Sequence, residues 1–429
     1  MSEYFRRTQI ADGVCFSCVR DEKFKHNSIT INLIVPLDMR TAAAYAVLPG
    51  ILRKGSASCP DFTKLERTLC ELYGASLSAD VSKHGEYQIL GCSIIGIDDR
   101  FALAGEKISE RCAELLTDMV LCPNMTDGAF PQKDFELEKQ YLIDSIEAEI
   151  NEKRAYALNR CRTEMCRGSR LAVPKYGTIE SAEKLTARSA AESYRELINT
   201  ARIEIIFVGS GDPEPVCERM RMRFGSLRRS PVSHTPEPLV QSAETVRTVT
   251  ERLEVVQSKL AMGMRAGDLS TPEKQTASRL MTYLYGGSPF SMLFRNVREK
   301  LSLCYYCAAR LDPATGILMV DMGLEGENME RSREAIWSEL QGIAGGDFTG
   351  EDLHSAKLAY CNALKSIGDS QASVENWCMT RILQGNNYAP SDEAAAIEAV
   401  TSEEIIAAAG GVTLDTVYFL TGKEEPENA

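Results

Sequence analysis

Apolar residues in the first half of the chain follow two alternating patterns, one typical of buried strands and one of amphipathic helices. The run at 29–37 (ITINLIVPL) is almost wholly apolar and predicts a buried strand. Leu65, Leu69 and Leu72 recur at helical spacing and predict a helix that ends at Gly74. The same patterns predict strands at 75–81, 87–95 and 203–208, and helices at 101–121, 133–161 and from Thr186 or Ser189.

The second half of the chain repeats this order of elements. A capping box at 401–404 begins its last helix. Residues 186–215 resemble residues 400–428, because each segment has a capped helix, an apolar strand, a glycine and an acidic, proline-bearing end. The remaining predicted strands lie at 260–264, 304–311, 317–323 and 417–420, and the helices at 272–285, 288–301, 328–343, 351–367 and 373–383.

This repetition predicts an internal duplication. We expect an α+β fold of two tandem homologous half-domains, each a mainly antiparallel sheet flanked by helices. The polar, proline-bearing segment 228–245 is the predicted linker, which places the half-domains at 1–227 and 246–429.

One predicted helix contains residues that disfavour a helix. The segment YAVLPGILRKGS, at 45–56, follows an alanine-rich run and carries Pro49 and Gly50 side by side. Proline removes a helical hydrogen bond and glycine loosens the backbone, so the pair costs several kcal/mol inside an exposed helix. We therefore predict a kink or break near Pro49.

Composition excludes several classes of function. The chain has 429 residues and a formal net charge of −13, which argues against nucleic-acid binding. The N-terminal residues lack the apolar region of a signal peptide, and no run approaches the ~20 apolar residues of a membrane span. We therefore expect a cytoplasmic protein without a membrane partner, in which the 14 cysteines are free thiols.

Two Cys-x-x-Cys pairs, Cys15 with Cys18 and Cys304 with Cys307, raise the possibility of a zinc site. Both pairs lie in strand-like segments, where positions i and i+3 face opposite sides of the sheet. We therefore interpret them as ordinary core cysteines. The carboxylates that follow Lys133 are likewise interpreted as a solvated helix face; they are Glu136, Glu138, Asp144, Glu147 and Glu149.

The segment 286–306 (GGSPFSMLFRNVREKLSLCYY) is the richest in candidate chemistry. Arg298 lies near the end of its predicted helix, and Tyr305 follows seven residues later on the next strand. An arginine and a tyrosine at such a corner can both donate hydrogen bonds to a peptide carbonyl. The alternative is an arginine paired with Glu299 or another surface acid, together with a core tyrosine.

This segment resembles one in the insulinase/pitrilysin-type peptidases, which are HxxEH zinc enzymes of the inverzincin class. In that family an arginine and, seven residues on, a tyrosine contact substrate near the zinc, and Arg298 and Tyr305 have this spacing. The segment QSKLAMGMRAG at 257–267 also resembles the strand that opens the second half of family members. The resemblance covers nearly the whole chain.

The resemblance also implies where the zinc motif would lie. Alignment on the following Lys-Gly-Ser places the two histidine positions at Ala46 and Gly50, and the glutamate position at Pro49. The third ligand position falls on Ser145, or on Asp144 after a shift of one residue. Since a catalytic zinc normally has three protein ligands, we expect no metal in this chain. We expect Ala46 and Gly50 to line an empty pocket.

The resemblance implies a pseudoenzyme, similar to a subfamily named for its association with elongation factor P modification. In this interpretation the chain is inactive alone and pairs with an HxxEH-bearing homologous subunit, which holds the zinc. Arg298 and Tyr305 would then contact a peptide or unfolded protein substrate. Two alternatives remain, a purely structural or scaffolding homologue and a peptidase with an unrecognised metal site.

Overall fold

The computed structural model describes residues 4–422, and the strands within this range form two sheets. The first sheet has the order β1-β2-β6-β3-β5-β4, and the second has the order β7-β11-β8-β10-β9. The strands are β1 (Arg6–Ala11), β2 (Val14–Arg20), β3 (His26–Pro36), β4 (Ser76–His84), β5 (Tyr87–Ile97), β6 (Arg202–Gly209), β7 (Arg247–Arg252), β8 (Ser258–Arg265), β9 (Tyr306–Asp312), β10 (Ile317–Leu324) and β11 (Thr413–Thr421).

Helices surround both sheets. Those of the first half are α1 (Ala42–Ala46), α2 (Leu48–Leu52), α3 (Phe62–Glu71), α4 (Ile108–Leu121), α5 (Gln132–Ala148), α6 (Lys153–Met165), α7 (Ile179–Glu183), α8 (Ala187–Thr200) and α9 (Glu214–Gly225). Those of the second half are α10 (Pro272–Thr282), α11 (Met329–Ala344), α12 (Gly350–Ser366), α13 (Gln371–Leu383), α14 (Pro390–Ala399) and α15 (Ser402–Gly410). Two π-helical segments, Tyr283–Gly287 and Leu293–Lys300, follow α10.

The two sheets have the same topology, which confirms the predicted duplication. Strands β2, β6, β3, β5 and β4 correspond in order to β7, β11, β8, β10 and β9, and β1 is an addition at one edge. Each sheet contains a single parallel pair, β2 with β6 and β7 with β11, and its other pairs are antiparallel. The fold is therefore the predicted α+β arrangement of two related halves.

Each sheet is covered on one face by a helix from the other half. Helix α6 packs on the second sheet, where Cys161 and Met165 join a cluster with Met319. Helix α13 packs on the first sheet, where Cys378 and Ile382 join the buried face of β3 and β6. The opposite face of each sheet packs against helices of its own half. This exchange holds the two halves together.

The segment 228–243 contains no helix or strand, but hydrogen bonds attach it to the first half. The Arg229 guanidinium donates to the carbonyls of Asp12 at 2.9 Å and Ile198 at 2.7 Å. Because two helices exchange between the halves, the chain connection alone does not define the packing units. The boundaries 1–227 and 246–429 stay a prediction, and the acidic end beyond residue 422 lies outside the described residues.

Several predicted helices have different bounds in the structure. The single helix predicted at 133–161 is wrong, since α5 and α6 are separate and Glu152 between them has φ −86° and ψ 72°. The break lets α5 stay on the first half while α6 crosses to the second sheet. The helix predicted from Ser288 instead begins at Leu293, and Ser288 accepts the Phe290 N–H in a turn. The sequence analysis did not predict strands β1 and β7 or helices α7, α9 and α14.

Candidate functional site

Residues 42–52 form two short helices, α1 and α2, and not one continuous helix. The break lies at Val47, two residues before the predicted position, and Val47 keeps helical φ and ψ angles of −76° and −22°. Pro49 lies in the first turn of α2, where a backbone N–H has no helical partner in any case. The restart of the helix therefore removes most of the cost of a proline at this position.

Gly50 lies directly against a side chain of α5. An added Cβ at Gly50 would collide with the carboxylate of Glu138. That carboxylate also forms an ion pair with Lys54, with 2.7 Å between Nζ and Oε1, and only 13% of the Glu138 side chain is exposed. The expected empty pocket beside Gly50 is therefore wrong, because Glu138 fills the space. Ala46 packs against the first-half core.

The interpretation of the α5 carboxylates as a solvated face needs one correction. Glu138 lies three residues after Phe135 and four before Leu142, and both of these are buried. This spacing places Glu138 on the inward face of α5 and was a signal available in the sequence. By contrast, Asp144 and Ser145 are exposed. Ser145 Oγ donates to the Tyr141 carbonyl at 2.7 Å.

The residues at these positions do not fit zinc. Ala46 offers a methyl group, Pro49 a ring without a donor and Gly50 no side chain, whereas a catalytic zinc is bound by nitrogen, oxygen or sulfur ligands. The one carboxylate beside them, Glu138, is already paired with the Lys54 ammonium. Within residues 4–422, no group of three or more His, Cys, Asp or Glu side chains is placed to share a metal ion.

The two Cys-x-x-Cys pairs differ in their surroundings. Cys15 and Cys18 both lie on β2, as predicted. Cys304 precedes β9 and is not on the strand, so the argument that it faces away from Cys307 is wrong. A hydrogen bond between the two thiols lowers the pKa of Cys304 and raises that of Cys307; the nearby charge of Arg298 also lowers the pKa of Cys304.

Arg298 lies in the π-helical segment Leu293–Lys300, a helix form that is often found at functional sites. Its guanidinium stacks over the Phe294 ring, with 4.2 Å between Cζ and the ring centroid. No carboxylate within residues 4–422 forms an ion pair with it, in contrast to Arg295, which pairs with Asp352 at 2.6 Å. The expected alternative, an Arg298 paired with Glu299 or another acid, is therefore not observed.

Tyr305 is exposed to 78% of its surface and is not a core residue. It follows a turn in which Ser302 has a φ of +52°, and it immediately precedes the edge strand β9. The next residue, Tyr306, is the inward one and packs under the Arg154 guanidinium at 4.2 Å from Cζ to the ring centroid. Arg298 is half-buried, and its charge reaches Cys304, the residue before Tyr305; the two residues, Arg298 and Tyr305, are called the Arg–Tyr corner.

The predicted site residues form two separate groups, one in each half of the chain. The motif positions of the first half lie on α1, α2 and α5, and the Arg–Tyr pair lies beside β9 of the second half. No hydrogen bond or ion pair in the part of the chain that the structure describes joins the two groups. A helix long and apolar enough to cross a membrane is absent from these same residues.

Comparisons with known proteins agree with this architecture. Residues 184–360 match the family model described as "Peptidase M16 inactive domain". The chain is 30% identical over 416 residues to a Bacillus subtilis (strain 168) protein named "Probable inactive metalloprotease YmfF", and the match covers 96% of each chain.

Solved structures show the same fold. A conserved protein from Enterococcus faecalis V583 is 24% identical, with a TM-score of 0.88 over 99% of this chain and 100% of that one. A peptidase M16 inactive domain from Pseudomonas fluorescens is 15% identical, with a TM-score of 0.77 over 98% of this chain and 100% of that one.

The fold and the motif positions define a metallopeptidase homologue of the inactive class. The chain belongs to the M16 peptidase family. The resemblance to the insulinase/pitrilysin-type peptidases is thereby confirmed.

Proposed function

We propose that this chain is the non-catalytic subunit of a heterodimeric zinc metallopeptidase. Its partner is an HxxEH-bearing homologous subunit, which holds the zinc. The chain binds peptide substrate and supplies Arg298 and Tyr305 to the partner's site. The motif positions Ala46, Pro49, Gly50 and Ser145 carry no ligand, so no catalytic step takes place in this chain alone.

The observation that supports this proposal is that Arg298 forms no ion pair within residues 4–422 and that Tyr305 is largely exposed. Arg298 has no acidic partner within residues 4–422, while Arg295 on the same segment has one. Tyr305 exposes most of its ring and its hydroxyl. An arginine and a tyrosine that served only packing would have buried surfaces or charged partners within the chain.

The chemistry available at this corner suits peptide hydrolysis. A guanidinium and a phenol are both hydrogen-bond donors, and both can bind the carbonyl oxygen of a peptide. When water attacks that carbonyl in the partner's site, the oxygen gains negative charge and these hydrogen bonds strengthen. Arg298 supplies a permanent positive charge for this purpose, and Tyr305 supplies a neutral donor.

Exposed sheet edges provide a means of holding an extended substrate. Strands β4 and β9 each lie at an edge of their sheet, so one side of each strand has unpaired backbone groups. A peptide can add to such an edge through main-chain hydrogen bonds. Strand β9 begins one residue after Tyr305, which would place a peptide bound there next to the Arg–Tyr corner.

The test is reconstitution with the HxxEH-bearing homologue from the same genome. The mixture is expected to hydrolyse peptides in a zinc-dependent manner that neither chain shows alone. Arg298→Ala and Tyr305→Phe are expected to lower kcat by about 10²-fold or more, in the range for loss of one transition-state donor. Arg295→Ala is the matched control, because Arg295 lies on the same segment but is paired with Asp352.

A different outcome would favour the scaffolding alternative. If Arg298→Ala and Tyr305→Phe leave the peptidase activity of the mixture unchanged but lower the melting temperature, the two residues serve the fold. If the two chains do not associate at all, the heterodimer itself is contradicted. Sedimentation of the mixture separates this second outcome from the first.

A further inference from the structure

A cavity of about 670 Å³ lies between the two halves. It forms where the hairpin turn between β4 and β5 meets the corresponding turn between β9 and β10. The turns approach closely, since an added Cβ at Gly85 would stand 3.2 Å from Thr315 Cγ2. Helices α6 and α13 and the segment 236–240 complete the walls. The volume is in the range of small-molecule binding sites.

Several charged side chains line this cavity, and two of its arginines are neutralised within the chain. Arg265 pairs with Asp415, with 2.7 Å between Nε and Oδ2, and also donates to a backbone carbonyl. Arg167 pairs with Glu164. These two guanidiniums therefore have acidic partners and leave no net positive charge to a ligand.

The carboxylates of the cavity are also engaged. Glu86 accepts from His234, with 3.1 Å between Oε2 and Nε2. Glu237 accepts a hydrogen bond from the Ser169 hydroxyl. Asp312 accepts a backbone N–H of its own turn at 3.1 Å. Glu237 and Asp312 keep their negative charge, but none of the three carboxylates forms an ion pair with Lys83 or Arg162 within residues 4–422.

Two cations remain without an acidic partner in the described residues. The Lys83 ammonium donates to the carbonyls of Leu171 at 2.8 Å and Val173 at 2.7 Å, and these bonds use two of its three donors. Arg162 on α6 is half-buried, and its guanidinium makes no hydrogen bond or ion pair within residues 4–422. Charged groups that are partly withdrawn from water are normally paired, so two half-buried cations in one cavity without an acidic partner point to an anionic ligand.

We propose that this cavity binds a small organic anion, whose carboxylate or phosphate group lies between Lys83 and Arg162. The free donor of Lys83 and the fork of Arg162 would both point their hydrogen bonds at the same group of oxygens. The remaining volume accommodates the organic part of the ligand, against Leu311 and Leu383. Since the walls come from both halves, the ligand would also link them.

The titration of Lys83 gives this site a characteristic dependence on pH. Burial, together with the charge of Arg162, lowers the pKa of Lys83 to about 8. Burial also lowers the pKa of His84 and raises the pKa values of Cys166 and Tyr87. The other charged wall groups are those described above, and α13 contributes only uncharged side chains. A bound anion favours charged Lys83, so affinity is expected to fall as pH rises through about 8.

The test is isothermal titration calorimetry on the full chain at constant ionic strength and pH 7. The probes are succinate as a dicarboxylate, glycerol 3-phosphate as a phosphate ester and inorganic phosphate. At least one organic probe is expected to bind saturably, and the class that binds identifies the anionic group. Arg162→Gln and Lys83→Met are each expected to weaken binding by about tenfold or more.

Controls separate a specific site from general charge and from misfolding. Arg331→Gln makes the same change on the exposed surface of α11 and is expected to leave binding unchanged. Arg162→Gln removes no side-chain hydrogen bond or ion pair within residues 4–422, so it is expected to keep the melting temperature of the wild type. Absence of saturable binding by both organic probes, or equal weakening by Arg331→Gln, would overturn the proposal.

Discussion

Lys54 and Glu138 form an ion pair beside Gly50, with 2.7 Å between Nζ and Oε1. The pair joins the end of α2 to α5, and it occupies the space that a side chain at Gly50 would need. Gly50 stands at a position where active relatives have a zinc ligand, and it also has a packing role in this chain. The absence of a side chain at Gly50 leaves room for the Glu138 carboxylate in its present position beside the helix, where it pairs with Lys54.

This relationship predicts a coupling between Gly50 and Glu138. In a Glu138→Ala background, Gly50→Ala is expected to stabilise the protein by about 0.5–1 kcal/mol, because alanine is the better helix former. When Glu138 is present, the new methyl group displaces the Glu138 carboxylate from Lys54, and this loss offsets the gain in helix propensity. Urea unfolding of the four proteins measures the coupling, expected at about 1 kcal/mol. A coupling near zero would contradict the packing described here.

The chemistry of the motif positions predicts that the chain does not hold zinc. After dialysis against zinc-free buffer, the isolated protein is expected to contain far less than one zinc per chain by mass spectrometry. The variant Gly50→His is expected to behave in the same way, because one histidine and the Glu138 carboxylate are fewer than the three protein ligands that a catalytic zinc normally has. Stoichiometric zinc in the wild type would favour a peptidase with its own metal site.

Arg298 and Tyr305 make few contacts within the chain, so we expect both residues to contribute little to stability. Arg298→Ala is expected to lower the free energy of unfolding by less than about 1 kcal/mol, since its guanidinium stacks on Phe294 and forms no ion pair within residues 4–422. Tyr305→Phe removes a hydroxyl from an exposed ring and is expected to change it by less than about 0.5 kcal/mol. Thermal and urea unfolding of the isolated chain measure both. Losses of several kcal/mol would indicate a structural role.

A carboxyl between the halves predicts a dependence of stability on pH. Glu375 on α13 lies against Thr30, Asn32 and Asp80 of the first sheet, and burial is the main cause that raises its pKa to about 7. The unfolded chain ionises this group near pH 4.5, so the folded state binds more protons between these values. Its contribution to stability is therefore present below about pH 4.5 and is lost as pH rises to about 7.

Glu375→Gln removes this titration. The variant is expected to be more stable than the wild type above pH 7, by about 2 kcal/mol, and similar to it near pH 4.5. Its free energy of unfolding is also expected to fall less between pH 5 and 7. Urea unfolding across this range is the measurement. Parallel curves for the two proteins would show that Glu375 is not held at the interface as described.

Local sequence patterns were sufficient for most strands and for the repeat. The apolar runs that became β3, β6 and β10 are buried on both faces, and such runs can be recognised without tertiary information. The capping box at Thr401 was read correctly because its hydrogen bonds lie within four residues. The duplication followed from these local signals, since the same elements recur in the same order.

Only the tertiary structure decided how the halves exchange helices and how the candidate sites are occupied. The break between α5 and α6 reflects packing on two different sheets, and no local propensity encodes that choice. Whether Glu138 is solvated or paired depends on Lys54, which lies 84 positions away in the sequence. The cavity beside Lys83 likewise joins turns from opposite halves. Sequence spacing determines local hydrogen bonds and apolar faces, whereas these long-range pairings arise only when the whole chain is packed.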